Sequence, residues 1–181
     1  MKYYLLKQYS QGNRDFSGWD LSEVNLLELQ FNDINLTGTN LKGANLRNTQ
    51  FKNADFGSAN MQNVWLPLAD LEDVSFCMAD LQEGGLWFSN IRKVNFQEAK
   101  LNKTNFNRAV LNETSFNQTD LTLANLTWVK LRKVDFTQAR LHQASFTGAY
   151  LEEINLTQAE IDRAQFHKAQ LIFLILGDPL L

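Results

Sequence analysis

The chain has 181 residues, 44% of them hydrophobic, enough for one domain with a sizeable core. Its formal net charge is −3 and it has no basic block, which argues against a polyanion-binding protein. One cysteine, Cys77, excludes an intrachain disulfide framework and suits a reducing compartment.

From the start, MKYYLLKQYSQG shows neither a secretory h-region nor a cleavage site, so a cytoplasmic protein is expected. Leu5, Leu6 and Tyr9 have helical spacing and Gly12 is suited to end a short helix. Residues 1–13 therefore read as an N-terminal cap.

From Phe16 to Leu171 every fifth residue is Leu, Phe, Ile or Met, without a slip. An α-helix advances about 500° in five residues, so such a stripe would wind around it and bury nothing coherent. A plain strand fails as well, because an odd step changes face each time. A chain that bends at every repeat satisfies the pattern: residues 14–171 read as a solenoid. Two residues before each central position stands a small or β-branched residue, as at Ala54, Ala79, Val94 and Ala139. On an extended segment it shares the inward face. The residue between them is often Asn or Asp and points outward, and the two that follow are polar and sit where the chain turns.

Phenylalanine gives the length of a circuit. Phe56, Phe76, Phe96, Phe116 and Phe136 are spaced by twenty, whereas the column through Leu81 and Leu101 contains no Phe. Four five-residue sides per coil explain the spacing, with like residues stacked from coil to coil. The expected fold is all-β, a quadrilateral β-helix of about eight coils with short caps at both ends.

The repeats ANLRN, ADFGS, ADLED, ADLQE and ANLTW resemble those of the pentapeptide-repeat family, whose pattern is A-[D/N]-L-x-x. The opening LLKQYSQGNRDFSGWDLSEVNL is similar to the N-terminal segment of bacterial, notably cyanobacterial, members. The resemblance covers nearly the whole chain and implies a right-handed four-sided β-helix. For function it implies little, since characterised members range from DNA-mimicking gyrase binders to a regulator of heterocyst differentiation.

At the far end, LIFLILGDPLL reads as a C-terminal cap over residues 172–181, or as a homodimer contact. Its apolar run, Leu171 to Leu176, is too short to span a bilayer, so no membrane partner is expected. The N-x-T triplets read as by-products of a repeat that sets Asn before Leu.

Nothing in the chain converges for catalysis. His142 and His167 fall on different sides, Cys77 lacks a basic neighbour, and no glycine-rich phosphate loop or metal-ligand spacing appears. No insertion interrupts the repeats, so no loop is available to wall a cleft. A non-enzymatic protein without cofactor or metal is expected.

The outward positions differ by side. Below the Phe76 column they are polar and nearly uncharged, with Gln97, Gln118, Gln138 and Gln158. On the Ile91 side, Asp73, Lys93, Glu113, Lys133 and Glu153 alternate in sign at coil spacing, which predicts a ladder of ion pairs. A mimic of duplex DNA needs a continuous negative face, and Arg92, Lys93, Arg132 and Lys133 interrupt this one. A DNA-mimic modulator of an enzyme such as gyrase is therefore the weaker alternative. The Leu86 side is the unusual one. Leu27, Pro67, Trp65, Leu68, Trp87, Phe88 and Trp128 point outward there, against the polar rule. The expected site is an aromatic protein-binding patch of Trp65, Leu68, Trp87, Phe88, Arg108 and Trp128, with Arg108 placed to stack on Phe88 or Trp128. The expected partner is a protein, not a nucleic acid.

Overall fold

The computed structural model describes residues 1–176. Helix α1, Lys2–Ser10, is followed by a four-sided parallel β-solenoid. One side carries eight strands: β1 (Gln30–Asn32), β2 (Gln50–Lys52), β3 (Asp70–Glu72), β4 (Asn90–Arg92), β5 (Val110–Asn112), β6 (Lys130–Asp135), β7 (Tyr150–Asn155) and β8 (Gln170–Ile175). They pair in sequence order, all parallel, and each residue faces the one twenty positions on, as in Phe51 opposite Leu71. Isolated parallel bridges with the same offset hold the other three sides, for example Asp15 to Asn35 and Trp65 to Gly85. Between β1 and β8 the chain completes about seven turns. The shift from the eight coils expected is one of counting, since eight stacked strands enclose seven steps.

A five-residue side closes because its corner adopts one conformation throughout. Every fifth residue from Gly18 to Phe173, two beyond the central position, has a positive φ. At Gly18 the Trp19 amide donates back to the Phe16 carbonyl at 3.3 Å, the pattern of a type II turn. An Asx side chain often braces the preceding bend. The Ser17 amide donates to Asp15 Oδ1 at 3.0 Å and the Ser22 amide to Asp20 Oδ1 at 3.1 Å. Those backbone hydrogen bonds hold both carboxyls below their ordinary range.

The central side chains fill the interior in stacked columns. Phe56, Phe76, Phe96, Phe116 and Phe136 are fully buried, with successive ring centroids 4.9 to 5.0 Å apart and nearly parallel planes. Buried hydroxyls find partners on turn carbonyls of the preceding coil, as a second donor beside the turn amide: Thr119 Oγ1 donates to the Phe96 carbonyl at 2.7 Å, and Thr104 Oγ1 to that of Leu81 at 3.0 Å.

Helix α1 closes the first coil. Leu5 is buried in the core, Tyr9 packs edge-on against Phe31, and Tyr4 stacks on Trp19. The Tyr9 hydroxyl accepts from the Asn32 amide at 2.7 Å and donates to the Asn32 carbonyl at 3.1 Å, satisfying the outer edge of β1. At the other end Ile161 and Leu171, both central residues, are exposed, as are Ile172, Phe173, Ile175 and Leu176. Residues 172–175 continue β8. The rest of the C-terminal segment, 177–181, lies outside the described residues.

The ion pairs run in a different column from the one expected. Among the described residues, Asp73, Lys93, Glu113, Lys133 and Glu153 make none: all five are exposed at left-handed corners, and of such corner residues Glu83 and Lys103, on another side, do pair, at 2.9 Å. The pairs lie one residue earlier on the strands, where side chains stand side by side. Glu72 is held between Lys52, at 3.6 Å, and Arg92, and Arg132 lies 3.8 Å from Glu152. Partial desolvation works to raise the Glu72 carboxyl, but Arg92 and Lys52 outweigh it and keep it below the usual range.

Candidate functional site

The six residues singled out in the sequence fall on one corner of the solenoid, between the Leu86 side and the stranded side. Leu68, Phe88, Arg108 and Trp128 occupy the left-handed position of successive coils, at φ of 59°, 59°, 57° and 57°. A bulky apolar residue is unusual there, because the Cβ crowds the following carbonyl. Trp65, Leu68, Phe88 and Trp128 are 49%, 46%, 49% and 54% exposed, and Arg108 is exposed as well.

Two glycines make room for the indoles. Trp87 is half-buried and lies across Gly85, where a Cβ would stand 1.9 Å from its ring. Gly85 has no positive φ, so its backbone does not call for glycine; the indole above it does. Trp65 meets Trp87 edge to face, with centroids 4.7 Å apart. Trp128 lies over Gly148 in the next coil, where a Cβ would come within 2.6 Å of the ring. Arg108 stacks on Phe88, 5.6 Å from the centroid, and Trp128 leans the other way.

Pro67, expected at an outward position, lines the surface depression but is buried. The hydroxyl of Ser89, one coil on, donates to the Leu66 carbonyl at 2.9 Å and accepts from the Ala69 amide at 3.1 Å. It bridges the two backbone groups that a closed corner would have joined, and so fixes the turn that presents Leu68. Leu27, also expected outward, is half-buried in the first coil. Helix α1 docks at Trp19 and Phe31 and leaves the aromatic corner open.

Arg47, Trp65, Pro67, Leu68, Trp87 and Phe88 line a shallow depression of about 420 Å³. A second, of about 390 Å³, adjoins it along the axis and is lined by Arg108, Val110, Trp128 and Lys130. Arg47, Val110 and Lys130 escaped the sequence reading. Their signal was the same twenty-residue spacing: Arg47 shares the column of Pro67 and Trp87, and Val110 and Lys130 stack in register with Tyr150 in the next column around the corner.

Elsewhere the surface offers little chemistry. His142 Nδ1 lies 3.1 Å from Asp162 Oδ2 in the next coil, and Cys77 is partly exposed without an ion-paired neighbour among the described residues. Among the described residues no group of three or more His, Cys, Asp or Glu side chains is placed to hold a metal ion. No helix there is long and apolar enough to cross a membrane.

A parallel solenoid with four five-residue sides and a left-handed residue at each corner defines a class of repeat protein. The chain belongs to the pentapeptide-repeat family: the model described as pentapeptide repeats (8 copies) matches residues 30–66 and 69–108, and that described as a pentapeptide repeat region matches 89–166. Its fold is similar to that of HetL, a pentapeptide repeat protein involved in heterocyst differentiation regulation from the cyanobacterium Nostoc sp. strain PCC 7120, at a TM-score of 0.68, 22% identity and 96% coverage of both chains. It is also similar to full-length QnrB1, a plasmid-mediated fluoroquinolone resistance protein, at a TM-score of 0.59 and 17% identity, over 91% of this chain and 85% of that one. A thylakoid-lumen pentapeptide repeat protein of Arabidopsis thaliana matches 55% of this chain and 69% of its own at a TM-score of 0.53 and 27% identity. No curated protein sequence matches the chain. Members of this family are in general structural and interaction proteins, not enzymes.

Proposed function

We propose that this chain is a non-catalytic binding and scaffolding solenoid, and that a protein partner docks on the corner formed by Trp65, Leu68, Trp87, Phe88, Arg108 and Trp128. One observation carries the reading. Leu68, Phe88 and Trp128 hold bulky apolar side chains half in water at left-handed corners, where Asn or Gly would sit relaxed. Neither core packing nor turn formation calls for them. A cluster of exposed aromatics beside a cation is the composition of interface anchors.

The test is affinity capture from a lysate of the source cells, with circular dichroism as the folding control. The W87S/F88S double variant keeps its fold and loses the partner that wild type retains. Substituting Gln97 and Gln138, on the polar Phe76 side, leaves capture unchanged. Retention by the folded W87S/F88S variant, or loss on the Gln97 side, overturns the assignment. Identification of the captured protein as a DNA-binding enzyme would supply the DNA-mimic alternative with a partner.

A second contact is favoured by the opposite end, where Phe173 is 80% exposed beside the exposed Leu171, Ile172 and Ile175. An apolar solenoid end of this kind associates with a copy of itself. Light scattering as a function of concentration should show a dimer that Phe173→Asp converts to monomer. A wild type monomeric at high concentration removes this contact.

A further inference from the structure

The two depressions on the aromatic corner share a charge pattern that the chain as a whole does not have. The protein carries 20 acidic and 17 basic residues. The ten residues that line these depressions nevertheless include three cations, Arg47, Arg108 and Lys130, and no carboxylate. Among the described residues none of the three reaches an acid within ion-pair distance. Two acids stand close by: Asp70, on the strand edge, accepts a hydrogen bond from the Asn90 side-chain amide at 3.0 Å, and Glu28, whose backbone amide donates to the Arg47 carbonyl at 3.0 Å, makes no ion pair with it. Elsewhere some cations pair across coils, as at Arg140 between Asp120 and Glu160, and others, such as Lys93 and Lys133, do not. Here they stand free beside exposed rings.

Accepting that this corner is a docking surface, we propose that its occupant is an acidic protein segment, with carboxylates flanking an apolar anchor. The anchor fills the depression between Trp65, Leu68, Trp87 and Phe88. The carboxylates meet Arg47 at one end and Arg108 and Lys130 at the other. From Arg47 to Lys130 is four coil steps, roughly 19 Å, the reach of an extended segment of about six residues. A guanidinium that already lies over Phe88 is pre-organised, so pairing with a carboxylate orders little more of it.

The same residue types also suit nucleic acid, in which bases stack and phosphates pair. That reading is the weaker one. A nucleic acid needs a run of cations along its closely spaced phosphates, and the bordering side interrupts such a run with Glu72, Glu113, Glu152 and Glu153.

The experiment is selection of a phage-displayed random dodecapeptide library on the intact immobilised protein, followed by affinity measurement on synthetic copies of the winners. The expected winners carry a net negative charge around Leu, Phe or Trp, and bind at least tenfold more weakly to the R108E/K130E variant. Changing their Asp and Glu to Lys abolishes binding to wild type and restores it to R108E/K130E. Neutral or basic winners overturn the proposal, as does an affinity unmoved by charge reversal, or Arg108-dependent binding of a twenty-base oligonucleotide. The failures separate cleanly. Winners lost on W87S/F88S but kept on R108E/K130E leave the docking corner standing and remove its acidic specificity. Winners indifferent to both variants, or none at all, remove both.

Discussion

Phe96→Ala tests the packing from which everything else follows. The ring is fully buried, stacked between Phe76 at 5.0 Å and Phe116 at 4.9 Å, and meets Phe106 edge-on at 6.1 Å. Truncating a buried Phe costs about 3–5 kcal/mol in transfer and cavity terms. Each aromatic pair adds roughly 0.5–1.5 kcal/mol beyond buried area, and three are lost together. Neighbouring coils are held in register by parallel bridges on either side, so the cavity has little freedom to collapse. The expected cost therefore lies at the upper end, about 4–5 kcal/mol. The assay is urea unfolding followed by circular dichroism, with the slope compared between variants. Gln97→Ala, the next residue, removes an exposed side chain whose amide reaches Glu98 at 3.1 Å and should move stability by no more than about 0.5 kcal/mol. Equal costs for the two, or the reverse order, would refute the inward assignment of the Phe column and with it the outward assignment of Trp87 and Phe88.

Three further outcomes follow from local geometry. Ser89→Ala should cost about 1–3 kcal/mol in urea unfolding, because it strands the buried Leu66 carbonyl and Ala69 amide. Leu123→Asn, at an exposed corner with φ of 60°, should raise stability by about 0.5–1 kcal/mol by relieving left-handed strain; Phe88→Asn should do the same while losing the partner. In acid, Asp15 and Asp20 have carboxyls held low in the folded state chiefly by the Ser17 and Ser22 amides. Their stabilisation is fully present above an unfolded value of about 3.9. It is lost as pH falls through the lower folded values. The D15N/D20N variant, which keeps a side-chain acceptor, should show a shallower loss of stability between pH 4 and pH 2 than wild type.

The fold was legible because its rule is carried by residue type at fixed spacing. Only an apolar residue satisfies the central position, so the five-residue period and the twenty-residue Phe column appear directly in the letters. The corner conformation was not legible, because backbone strain there is set by closure of the coil and not by the side chain: Asn48, Glu83, Met78, Lys103 and Phe88 all adopt it. The alternating charges at Asp73, Lys93 and Glu113 suggested a ladder, while on that side the pairing takes place one residue away, on the strands. At the candidate site the exceptional residues stood out against the repeat. Burial of Pro67 and the seating of Trp87 over Gly85 depended on side-chain direction, which spacing alone does not contain.

The fixed offset of twenty between partners makes chain length a coordinate of rotation. Removing twenty residues between Phe88 and Trp128 would shorten the rod by one rung and leave both rings on the same edge. Removing five would be just as compatible with the repeat, yet it would swing Trp128 and everything after it a quarter turn around the axis, onto a face where no partner of Phe88 could reach it. Lineages that keep this surface are thus free to gain or lose whole circuits but not single sides, and a census of lengths between its two ends would read as multiples of twenty even where no letter of the intervening sequence survives.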